Sequence, residues 1–70
     1  MLTEDQIVEY LEQTIAEGRL SGDKVGLRRT QTTAGVLMAA AQTVGDTASA
    51  QRFRLLAAQA ANKQDELEAD

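Results

Sequence analysis

The run Thr30–Gly45, TQTTAGVLMAAAQTVG, carries no charged side chain, in a chain where 26% of the residues are charged. It is built mainly from Thr, Ala, Gly and Gln, with Val36, Leu37, Met38 and Val44 as its sizeable apolar groups. Side chains at a helix contact set how closely two helices approach, so a helix of small residues admits a second backbone at short range. A segment of this kind is made to be packed against on more than one side. It points to association rather than to chemistry.

Chain size sharpens the constraint. Seventy residues form one small domain, and a domain of this size hides a modest fraction of its surface. Stability then comes from disulfides, a metal, oligomerisation or very regular helix packing. The chain has no cysteine and no histidine. This excludes disulfides and thiolate metal sites, and it removes the commonest transition-metal ligand and general base. Regular helix packing and oligomerisation remain. Proline is absent, and Tyr10 and Phe53 are the only aromatic residues. With abundant Ala, Gln, Leu and Glu, this composition favours an all-α chain. No apolar run approaches the roughly 20 residues that span a bilayer. The acidic start does not read as a secretory signal, so a cytoplasmic location is expected. A net charge of −4 argues against indiscriminate nucleic-acid binding.

The first helix is expected over residues 4–17. Thr3 and Gln6 form a capping box, with Leu2 and Ile7 as a hydrophobic staple. Ile7, Leu11 and Ile15, with Val8 beside them, make one apolar stripe, and Gly18 reads as the residue that ends the helix. The second helix is expected over 24–44, capped by Ser21 or Asp23. Its apolar stripe runs through Leu27, Thr30, Ala34, Leu37, Ala41 and Val44 at three-four spacing. Lys24, Arg28 and Arg29 near its N-terminus oppose the helix dipole, and Glu12 and Glu17 of an antiparallel first helix are expected to answer them. Gly45 and Asp46 close this helix and open the third. The third is expected over 47–67, with Phe53, Leu56, Ala60 and Leu67 inward, Lys63 interrupting, and an acidic end, Asp65 to Asp70, that frays. The resulting fold is a long antiparallel hairpin of the second and third helices with a shorter N-terminal helix, completed as a dimeric helical bundle.

Chemistry has few candidates. Asp5, Glu9 and Glu12 share one face of the first helix. They lack a loop that would wrap a cation and read as a solvated face or an acidic docking face. Ser21, Ser49 and the threonines have no histidine to activate them. The threonines read as caps or as hydroxyls bonded one turn back along the helix. Gly18, Gly22 and Gly26 fit no phosphate-loop pattern. The expectation is therefore no enzyme, no cofactor and no metal.

Arg19, Lys24, Arg28 and Arg29 are four of the seven positive charges. They are candidate contacts to nucleic acid or to an acidic docking partner. The stretch IVEYLEQTIAEGRLSGDKV resembles the start of a winged-helix repressor domain, but no helix-turn-helix triplet or wing hairpin follows it. The favoured function is a helical protein–protein interaction module that forms a homodimer and docks on a larger protein assembly. Val36, Ala39 and Ala40, with Leu55 of the third helix, lie off the main apolar stripes and are the expected interface. A small nucleic-acid-binding regulator using the basic cluster is the alternative.

Overall fold

Two Gly–Asp dipeptides, Gly22–Asp23 and Gly45–Asp46, divide the chain. In each, the glycine takes a left-handed conformation, φ +69° at Gly22 and +78° at Gly45, which is open to glycine at no steric cost. The bonding around them is the same. Asp23 N–H donates to the Gly18 carbonyl (2.9 Å) and Gly22 N–H to that of Arg19 (3.4 Å). Asp46 N–H donates to the Ala41 carbonyl (2.9 Å) and Gly45 N–H to that of Gln42 (3.1 Å). These paired bonds are Schellman closures that satisfy the last carbonyls of a helix. Each aspartate then caps the next helix, with Asp23 Oδ1 accepting from Gly26 N–H (2.8 Å) and Asp46 Oδ1 from Ser49 N–H (3.0 Å).

The computed structural model, which describes residues 1–69, accordingly holds α1 (Glu4–Ser21), α2 (Lys24–Thr43) and α3 (Thr47–Ala69), with no strand among the described residues. Asp70 of the expected acidic tail lies outside them. The capping box forms as expected, with Thr3 Oγ1 accepting from Gln6 N–H (3.2 Å) and Gln6 Oε1 from Thr3 N–H (3.0 Å).

The boundaries differ from expectation at three places. Helix α1 does not stop at Gly18; it continues to Ser21, and Gly22 takes the terminal role. Gly18 is instead buried inside the helix, where a Cβ would stand 3.0 Å from Leu27 Cγ and Cδ2. Val44 is the cap residue of α2 rather than its last core position, and it is 80% exposed. Helix α3 runs on to Ala69, because Glu66 is paired and Leu67 packs against the core.

The core is small. Val8, Leu11 and Ile15 of α1 meet Leu27 and Ala34 of α2 and Phe53, Leu56 and Ala60 of α3. Leu27 is the one large side chain that is fully buried, a burial contributing about 1.5–3 kcal/mol. Helices α2 and α3 pack against each other along an antiparallel hairpin, and α1 lies across one flank of both. The molecule measures 39 × 22 × 15 Å.

Two glycine substitutions separate packing from helix propensity. Gly18→Ala gains helix propensity but drives a methyl into Leu27, and a net loss of about 1–3 kcal/mol is expected. Gly35 lies mid-helix with open space where a Cβ would stand, so Gly35→Ala is expected to stabilise by roughly 0.5–1 kcal/mol. Urea unfolding of both variants checks the contrast.

Candidate interaction surface

A helix turns about 100° per residue, so the buried positions of α2 fix where the others point. Leu27, Thr30, Ala34 and Ala41 face the core. Val36, about 200° beyond Ala34, is 63% exposed, and Ala39 and Ala40 are exposed with it. Ala40 lies toward the α1 side of α2 and Ala39 away from it, with Val36 between them. Leu55 does not join them. It precedes core residue Leu56 on α3 and is 53% exposed in a shallow groove with Val8, Glu12, Arg52 and Gln59, on the α1–α3 flank.

A second feature escapes the sequence reading. Between the start of α1 and the middle of α2 lies an almost wholly apolar groove of about 370 Å³, lined chiefly by Leu2, Ile7, Tyr10, Thr33 and Leu37. It continues past Ala40 to Val44, where Glu4 and Asp46 form its acidic end. Leu2 and Tyr10 are 73% and 67% exposed. The staple pair Leu2 and Ile7 thus forms a wall of this groove as well as holding the helix entry. The available signal was Tyr10, three residues after Ile7 and therefore on the same side of α1.

The charged candidates are divided among different tasks. Arg19 Nε reaches Glu66 Oε2 at 3.1 Å, and Lys63 Nζ reaches Glu66 Oε1 at 3.4 Å. Asp5 is tied to α3, with its Oδ1 3.0 Å from Arg52 Nη1, which also pairs with Glu4. Glu12 borders two of the grooves between α1 and α3, and Glu9 is exposed. The expected answer of Glu12 and Glu17 to the basic start of α2 does not form; Glu17 accepts from Gln13 instead. The compensating carboxylate is the cap Asp23 itself. Lys24, Arg28 and Arg29 are exposed and make no ion pair among the described residues.

The first turns of α1 and α3 meet at a polar corner. Ser49, a buried residue, places Oγ 2.7 Å from Asp46 Oδ2 and against Glu4 Oε1, and Arg52 closes the group. The Ser49 backbone and hydroxyl bonds hold the Asp46 carboxyl below its ordinary range. The Asp5 carboxylate, aided by Glu4, raises the Arg52 guanidinium above its already high value. Arg19, and after it Lys63, lowers Glu66. The corner is a joint between helices, with no imidazole to draw a proton from Ser49.

Other hydroxyls are engaged by the backbone. Those of Thr14, Ser21, Thr30, Thr33 and Thr43 each donate to the carbonyl four residues earlier, at 2.8–3.0 Å. Buried Thr30 is satisfied this way and fits an apolar stripe. Among the described residues no cluster of acidic side chains is arranged to hold a metal ion, and no helix is long and apolar enough to cross a membrane.

The lowered carboxyls set an acid limb on stability. A carboxyl depressed by folding stabilises the fold above its unfolded value and loses that contribution as pH falls through the folded one. Asp46→Asn keeps an oxygen acceptor for the Ser49 N–H but removes the titration. Its unfolding free energy is expected to fall less steeply than wild type below about pH 4, as read by urea unfolding across that range.

No protein-family model, curated protein or solved structure matches this chain, so its own surface is what argues for a function.

Proposed function

We propose that the chain is a non-enzymatic helical protein–protein interaction module that self-associates and docks on a larger protein assembly, in the cytoplasm. One observation carries the reading. The chain exposes 4854 Å², whereas a compact monomer of its 7.5 kDa mass exposes about 4,250 Å². The excess, roughly 600 Å², approaches the ~800 Å² that each partner contributes to a standard interface. The radius of gyration of 12.2 Å likewise exceeds the ~11 Å of a compact chain this long. Much of the exposed surface along α2 is uncharged, with Val36, Ala39 and Ala40 in its middle. Docking on a further partner would fall to the charged faces, where unpaired groups govern specificity and on-rate more than affinity. Glu9 on α1 is such a group.

A second reading has a specific observation in its favour. Lys24, Arg28 and Arg29 stand exposed without carboxylate partners among the described residues, as a phosphate-binding patch requires. Arg19, engaged by Glu66, is not free to join them. Binding of nonspecific duplex at low salt, lost steeply with added salt and abolished in Arg28→Glu/Arg29→Glu, would establish it. No binding at low salt removes it.

Sedimentation equilibrium tests the favoured reading. A dimer is expected at high micromolar concentration, and a monomer there defeats the proposal. Ala40→Glu places an unpaired carboxylate in the contact and is expected to weaken association about a hundredfold. Because Ala40 is exposed in the single chain, its helical circular dichroism should be unchanged.

A further inference from the structure

The uncharged residues of α2 on the α1 side form a continuous stripe. Thr33, Leu37, Ala40 and Val44 recur at three-four spacing along the groove, and Val36 borders them. One turn before Thr33 the stripe begins at Arg29, which is exposed and makes no ion pair among the described residues. Beyond Val44 it ends at Asp46 and Glu4; Glu4 pairs with Arg52, but with Asp5 beside it the corner stays net negative. It is therefore basic at one end, apolar along its length and acidic at the other.

We propose that this stripe is the site of self-association, occupied by the same stripe of a second copy running antiparallel across a two-fold axis between Val36 and Leu37. The proposal deepens the self-association reading and rests on it. Two-fold pairing requires a surface that is complementary to itself when reversed, and a stripe whose ends differ in sign meets that requirement. In this register Thr33 faces Ala40 of the second copy, and Arg29 faces Val44, within a side chain's reach of the acidic end.

The remaining features fit that occupant. Ala40 and Thr33 are small where the backbones cross, which permits a close approach. Leu2, Ile7, Tyr10 and Leu37 supply the apolar surface that the second α2 covers. A parallel pairing of the two copies would bring Arg29 against Arg29 and carboxylates against carboxylates. A rigid helix from an unrelated protein would need its own reversed charge pattern, which this chain already provides.

The chain lacks cysteine, so single-cysteine variants report the arrangement directly. Val36→Cys, next to the axis, is expected to cross-link into a covalent dimer with a short bismaleimide. Arg28→Cys and Leu55→Cys, far from the axis, are expected not to do so. Ala40→Glu should dissociate the dimer, while Ala39→Glu, on the side of α2 away from the groove, should change its Kd far less. Arg29→Glu should weaken it roughly tenfold, from the loss of two symmetry-related charge contacts. Circular dichroism of each variant establishes that these exposed substitutions leave the helices formed. If wild type sediments as a monomer, both self-association and this arrangement fall. If it is a dimer that cross-links through Leu55→Cys or Arg28→Cys but not Val36→Cys, or that Ala39→Glu dissociates while Ala40→Glu does not, self-association stands and this arrangement is overturned.

Discussion

The contact of Leu27 with Gly18 decides how the three helices lie. Leu27 is the one large side chain fully removed from solvent, and it gets there because α1 offers a notch with no Cβ. That contact draws the end of α1 onto the start of α2. Against α3, α1 is held by Val8, Leu11 and Ile15 on Phe53, Leu56 and Ala60, with ion pairs at its two ends: Arg52 meets Glu4 and Asp5 at one, and Glu66 meets Arg19 at the other. Helix α1 is thus fastened to α3 at both ends but drawn tightly onto α2 at only one. At the other end the α1–α2 flank opens, and the apolar groove is that opening.

This division of labour also explains why the surface looks chemically idle but physically incomplete. Polar groups within the fold are satisfied: no buried side-chain nitrogen or oxygen among the described residues lacks a partner. Hydroxyls bond their own helix, and the buried Ser49 is absorbed by a helix joint. What is left over is apolar: Leu2, Tyr10, Val36 and Val44 stand well exposed on the α1–α2 flank, and Leu20, Val25 and Leu55 elsewhere, in a chain whose core is only a few residues deep. Exposed apolar surface grouped in this way is the kind of surface from which interaction sites are built.

Local signals were legible in the sequence. The capping box at Thr3, the Gly45–Asp46 turn and the inward stripes of α1 and α3 follow from spacing within one helix, where neighbours are set by covalent geometry. The choice between Gly18 and Gly22 was not legible in that way, because either glycine can end a helix. It is settled by Leu27, whose burial requires a residue without a Cβ opposite it. Leu55 and Val36 both lie off their own stripes, but off-stripe residues on two helices share a face only if the helices are turned alike. The ion pairs are hard to assign for a related reason: long charged side chains choose partners by inter-helix register, and the carboxylates of α1 have basic partners to choose from on both α2 and α3. The groove was missed because it belongs to two helices at once.

The ion pairs that fasten α1 have a further consequence, for the order in which contacts form and break. Arg52 and Glu4 are 48 residues apart in the chain, and Arg19 and Glu66 are 47 apart. The α2–α3 hairpin, by contrast, closes over Gly45–Asp46 and its nearest contacts span a few residues. Loop-closure entropy rises with the length of chain enclosed, so α1 has the costlier contacts to form and exposed, salt-screened ones at its two ends. The hairpin contacts therefore cost less entropy to form, while the long-range ion pairs of α1 are the contacts that added salt weakens first and its buried Val8, Leu11 and Ile15 hold it to the core. Translation sharpens this: α1 leaves the ribosome before α3 exists, so its first turn waits for its native partner until Arg52 has been made.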